Sequence, residues 1–177
     1  MPGLVNWASV DVNPKRRFRY GFRIGNISEY YVKTATMPKA NVSTVEHSYL
    51  DYNFKFPGRV TWDPISVTLV APASGQGDPS DILWSVLQEA GWENPINLGK
   101  KGAYRSLSKK GFKKALSNGT YSPEIILYDE KGNENEKWAL TNAFITSIDW
   151  GGSLDYTSDD MLELTIEISF DWATKVK

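Results

Sequence analysis

Apolar side chains recur at every second position near the C-terminal end of the chain. Leu162, Leu164, Ile166, Ile168, Phe170 and Trp172 alternate with Met161, Glu163, Thr165, Glu167, Ser169 and Asp171. A period of two sends successive side chains to opposite faces of an extended backbone, so residues 161–172 predict one long strand with a buried and a wet face. Residues 17–23 alternate in the same way, with Phe18, Tyr20 and Phe22 against Arg17, Arg19 and Arg23. A short strand is expected over 30–36, ended by Met37-Pro38, because proline restricts its predecessor and donates no hydrogen bond. Residues 42–56 are strand-like but polar and aromatic, and Pro57-Gly58 reads as the turn after them. Trp62, Ile65, Val67 and Leu69 begin another strand. Residues 124–128 and 137–145 flank Lys131-Gly132-Asn133 and read as a hairpin.

One segment changes period. Asp78 is placed to cap a helix, Pro79 suits its first position, and Ile82, Leu83, Val86 and Leu87 form an apolar stripe that Gly91 closes. Residues 106–116 hold a second, short helix around Phe112. The prediction is a mainly β fold, a two-sheet barrel or sandwich with one flanking helix.

The 177 residues suit a single domain over 1–177, long enough to enclose a core. Residues 1–16 are too apolar for a plain tail and read either as an arm that docks on something or as an edge strand. Residues 91–120 read as a basic, insertion-like loop. Aromatic content is 13%, with seven Trp and nine Tyr, more ring surface than a small core needs and typical of strands and interfaces. The net charge of −1 creates no global field toward nucleic acid or a membrane. There is no Cys, hence no disulfide and no thiolate chemistry. No secretory signal or membrane span is evident, so the expectation is a soluble protein made in the cytoplasm, with no membrane anchor.

Catalytic chemistry finds little to stand on. The single histidine, His47, lacks a second His or any Cys for a metal site and reads as an ordinary polar strand residue. Glu163 and Glu167 share one strand face about 13 Å apart at ~3.3 Å per residue, too far for a glycosidase pair, so a solvated acidic face is expected. Residues 155–160 lack the ligand order of a calcium loop. No phosphate-binding glycine loop occurs, and no catalytic residue, metal or cofactor is predicted. The basic block of Lys100, Lys101, Arg105, Lys109, Lys110, Lys113 and Lys114 fits three readings: a phosphate-backbone site, a contact with the acidic C-terminal region of a neighbouring copy through Lys109, Lys110, Lys113 and Lys114, or plain solvation.

Two segments together resemble a known family. The first is Lys33-Thr34-Ala35-Thr36-Met37-Pro38, leading through the Tyr/Phe-rich stretch to Pro57-Gly58-Arg59-Val60 and the strand over 66–70. The second runs from Trp138-Ala139-Leu140-Thr141-Asn142-Ala143-Phe144 through Ser153-Leu154-Asp155-Tyr156-Thr157-Ser158-Asp159-Asp160 to Phe170-Asp171-Trp172. Both resemble the tail tube proteins of contractile-tailed bacteriophages and related contractile injection systems. The resemblance implies a virion tail component made in the host bacterial cytoplasm. Six copies would form a ring, their sheets joining into one inner barrel, and rings would stack into a tube within a contractile sheath. The implied partners are further copies of itself, the tail sheath, baseplate and tape-measure proteins, and DNA that passes through the lumen without sequence-specific binding. Closing a ring would also give exposed strand edges a partner. On this reading Glu163, Thr165, Glu167, Ser169 and Asp171 line the lumen, or else face the sheath. Tyr49, Tyr52 and Phe54 reach toward the next ring. A baseplate tube initiator and a small ligand-binding β-sandwich are the competing expectations.

Overall fold

The computed structural model describes residues 14–73, 77–98, 106–117 and 122–177. Among the described residues ten strands and three α-helices, with a 3-10 turn at Glu29–Tyr31, follow in the order β1 (Tyr20–Arg23), β2 (Val32–Ala35), β3 (Ala40–Tyr49), β4 (Tyr52–Trp62), β5 (Ile65–Val70), α1 (Pro79–Ala90), α2 (Pro95–Leu98), α3 (Lys109–Leu116), β6 (Glu124–Tyr128), β7 (Glu134–Thr141), β8 (Phe144–Asp149), β9 (Glu163–Ser169) and β10 (Trp172–Lys175). They form two four-stranded antiparallel sheets, β1-β6-β7-β10 and β2-β5-β9-β8, and a separate two-stranded ribbon, β3-β4. Phe22, Ile125 and Leu140 from the first sheet share one core with the inward residues of the second. The mainly β, sandwich-like expectation therefore holds.

Period-two patterning places the centre of that core. Register sets Ile65 opposite Ile168, Val67 opposite Ile166 and Leu69 opposite Leu164, and all six side chains are almost fully buried. Burying an aliphatic side chain of this size stabilises by roughly 2 kcal/mol, so this paired row anchors the second sheet.

The helices close the sandwich. The Asp78 carboxylate accepts from the Ser80 N–H, Pro79 opens α1, and Gly91 ends it at a φ of 117°. The expected cap residues all serve. Leu83, Val86 and Ala90 of α1 and Phe112 and Leu116 of α3 belong to the core. Ser108 caps α3 by accepting from the Gly111 N–H at 3.0 Å. A Cβ on Gly111 would fall 2.5 Å from the Ala90 carbonyl oxygen, so a residue with no side chain sits where the two helices cross.

Three strand expectations are corrected. The alternation over 161–172 is not one strand: β9 ends at Ser169, the chain turns at Phe170-Asp171, and β10 pairs with β7 in the other sheet. The stretch 137–145 also divides, at Asn142 (φ 55°), with β7 in the first sheet and β8 in the second. The two corners are joined, since the Asp171 N–H donates to the Thr141 carbonyl at 3.0 Å. Finally, Pro57-Gly58 lies inside β4. The ribbon turns instead at Leu50-Asp51, where Leu50 has a φ of 53°. The ribbon tolerates that proline, which has no N–H to donate, because among the described residues no third strand pairs with β4, and the ladder shifts register beside it, between Val42 and Thr44.

Candidate assembly surfaces

The outward face of the second sheet is built by the register that buries its other face. Thr34, Thr68, Thr165 and Asp149 form one row across β2, β5, β9 and β8, and Ser66, Glu167 and Ser147 form the next. Glu167 is exposed, Thr165 and Ser169 are half-buried, and the Glu163 carboxylate is ion-paired with Lys33. Four of the five residues assigned to the lumen or sheath face thus share one hydroxyl-rich, acidic surface. Asp171 lies apart from them at the corner. Its carboxylate accepts from Lys109 at 2.6 Å and from the Asn142 amide at 2.8 Å, and these two donors hold its pKa below the usual carboxylate value.

Among the described residues both edge strands of that sheet, β2 and β8, have a strand partner on one side only. The Tyr20 hydroxyl donates to the Lys33 carbonyl at 2.6 Å, tying the irregular β2 to the first sheet.

The β3-β4 ribbon carries the sharpest separation of polarity. Val45 lies opposite Phe56, His47 opposite Phe54, and Tyr49 opposite Tyr52, so these six side chains share one face. Glu46 pairs with Lys55 at 3.4 Å and Ser48 with Asn53 at 2.5 Å on the other face. Every one of the six is exposed. The ribbon is secured at its base, where Trp62 lies against Phe170 with ring centroids 6.0 Å apart and Asp63 holds Asn41 and Lys39. Tyr49, Tyr52 and Phe54 are therefore brought together, with His47 added to them.

The basic block is divided. Lys109 spans Asp171 and the Phe144 ring, so it meets the acidic C-terminal region of its own chain. Lys110, Lys113 and Lys114 are exposed on α3 with no ion pair among the described residues. Lys100, Lys101 and Arg105 lie outside the described residues, as does the arm before residue 14. Lys15, at the end of that arm, is ion-paired with the buried Glu136, and this cation with the Trp138 N–H lowers the Glu136 pKa to about 2.

Two arrangements lie beyond sequence reasoning. On α1, Trp84 stands edge-on to Trp92 at 5.0 Å and to Trp150 at 6.3 Å, leaving Trp84 45% and Trp150 41% exposed. An indole off the core stripe of a helix is the one signal that pointed there. Elsewhere Arg23 bridges Glu29 and Glu134, and Tyr128 donates to Glu29 at 3.1 Å. Among the described residues no three His, Asp or Glu side chains gather to hold a metal, and no helix is long and apolar enough to cross a membrane.

No family model matches the sequence, and no curated protein is significantly similar to it in sequence. Solved structures do match its fold. A chain from the sheath–tube complex of the extracellular contractile injection system PVC superposes with a TM-score of 0.62 at 18% identity, covering 92% of this chain and 90% of that one. The protein has the fold of contractile injection system components. A chain from the anti-feeding prophage tube-terminating cap gives 0.61 at 18% identity, covering 97% of both chains. One from the six-fold symmetrised baseplate of that particle gives 0.60 at 13% identity, covering 93% and 97%. The resemblance drawn from the sequence is thus met by the fold over nearly the whole chain.

Proposed function

We propose that this chain is a non-enzymatic structural subunit of the tube in a contractile tail or injection machine. It forms six-membered rings that stack around a central channel. The observation that carries the reading is the end-to-end likeness in fold to chains of sheath–tube, cap and baseplate assemblies. The surfaces agree with it. A sheet with a polar outer face and, among the described residues, two unpaired edges suits a ring in which the edges join and the polar face meets water in the lumen. Glu163, Thr165, Glu167 and Ser169 then line the channel, where negative charge keeps passing DNA from being held by counterion release. The aromatic ribbon face reaches the adjacent ring, and the sheath, baseplate and tape-measure proteins complete the partners. The working place is the assembled tail, after synthesis in the bacterial host.

Chains from the sheath–tube, baseplate and cap assemblies match this fold almost equally, with TM-scores of 0.62, 0.60 and 0.61. Fold alone does not separate main tube from tube initiator, and the main tube is the reading adopted.

The test is electron microscopy of the purified protein, alone and with its baseplate. Six-fold rings or hollow tubes are the expected result. A monomer that stays dispersed beside its own baseplate overturns the reading in favour of a ligand-binding sandwich. The channel face is tested by Glu167→Lys, which avoids the Lys33 pair at Glu163. Tubes should form while DNA ejection slows, most at low salt. Normal ejection with lost sheath attachment would place that face outside.

A further inference from the structure

We infer that the Trp84–Trp92–Trp150 cluster of one copy receives Tyr30 and Tyr31 of the next copy across a β8–β2 joint. This inference rests on the ring reading and names where the ring is held.

The strand directions carry it. β2, β5, β9 and β8 are each antiparallel to their neighbour, so the two edge strands run in opposite senses. Rotation about a ring axis preserves those senses. β8 therefore meets the β2 of the adjacent copy antiparallel, and the end of β8 comes beside the beginning of β2. Each of those ends carries exposed aromatic rings. Trp150 directly follows Asp149, the last residue of β8, and leads into the Trp84–Trp92 pair. Tyr30 and Tyr31 directly precede Val32, the first residue of β2, in edge-to-face contact at 5.9 Å, and Tyr30 is 89% exposed.

Both groups are held before any partner arrives. The Asp149 carboxylate accepts from the Gly151 and Gly152 N–H groups at 3.1 and 2.9 Å, fixing the turn after Trp150. Ser28 caps the helical turn that presents the two tyrosines. The joint also needs side chains. β2 is four residues long, shifts register between Val32 and Thr34, and already commits its Lys33 carbonyl to Tyr20. Few backbone hydrogen bonds are left, and each contributes only about 1 kcal/mol net. Clustered Trp and Tyr rings are the groups that most often dominate an interface.

The chain has no Cys, which permits a clean test. Tyr30→Cys and Trp150→Cys are made in separate chains, mixed, assembled and treated with a short bismaleimide. Cross-linked dimers are expected from the mixture and from neither variant alone, and Tyr30→Cys mixed with Lys113→Cys should give none. Trp84→Ala should weaken ring assembly at least tenfold on dilution, with Trp84→Phe intermediate and circular dichroism unchanged. Intact rings with no Tyr30–Trp150 cross-link and normal assembly of Trp84→Ala overturn this inference and leave the ring reading standing. A wild-type chain that never forms rings overturns both.

Discussion

Lys109 and Asp171 stand 62 positions apart in the chain, yet their charged groups lie 2.6 Å apart. The contact joins the N-terminal turn of α3 to the corner where β9 hands over to β10, and Asn142 from the other corner completes it. An exposed pair of this kind is sensitive to salt. Lys109→Ala should lower the melting temperature by about 2 °C at low ionic strength, and the difference should vanish near 1 M salt. If Lys109 instead serves the subunit contact, the variant melts normally and assembles poorly.

The ribbon touches the body at its base, so its far end should be dispensable for folding and needed for stacking. Excising residues 47–54, which removes matched positions from both strands, should leave rings intact and abolish tubes. His47→Asp, a fixed charge placed among Val45, Phe54, Phe56, Tyr49 and Tyr52, should act in the same direction, whereas His47→Phe should not. Tube length measured by microscopy decides between these outcomes.

Glu136 predicts a pH response. Lys15, with Trp138, holds its carboxyl at about 2 against an ordinary value of 4.5. A depressed carboxyl adds stability that is present above pH 4.5 and is lost as the pH falls toward 2. Glu136→Gln should lower stability by roughly 2 kcal/mol at neutral pH and flatten the decline between pH 4.5 and 2. Melting curves across that range test it, and a profile parallel to the wild type would refute it.

Gly111 reverses the usual rule for helices. Alanine normally stabilises a helix interior by about 1 kcal/mol over glycine. Here the added methyl meets the Ala90 backbone at 2.5 Å, so Gly111→Ala must push α1 and α3 apart. A loss of about 1–3 kcal/mol is expected, seen as a melting temperature roughly 5 °C lower. A gain in stability would mean that the crossing is looser than it stands.

Much of this protein is written locally. Asp78, Pro79 and Gly91 define α1, because a cap needs only a side chain and the backbone beside it. The alternation in β5 and β9 names their buried faces, because pleating alone separates the two sides. The crowding of Tyr and Phe between residues 42 and 56 is legible too, and Tyr49, Tyr52, Phe54 and Phe56 all stand exposed outside the core. What the sequence leaves open is every choice made between distant residues. Alternation continues unbroken through Phe170, which stays inside while the chain crosses to the other sheet, so periodicity is blind to the corner. At that corner the Asp171 N–H donates to the Thr141 carbonyl and β10 takes up its pairing with β7, contacts between residues distant in the chain. The ribbon turns at Leu50 rather than at Pro57-Gly58 because pairing along both strands overrides the local turn preference. Trp84, Trp92 and Trp150 become one surface only when α1 and the end of β8 are brought together, a matter of tertiary packing that no single segment encodes.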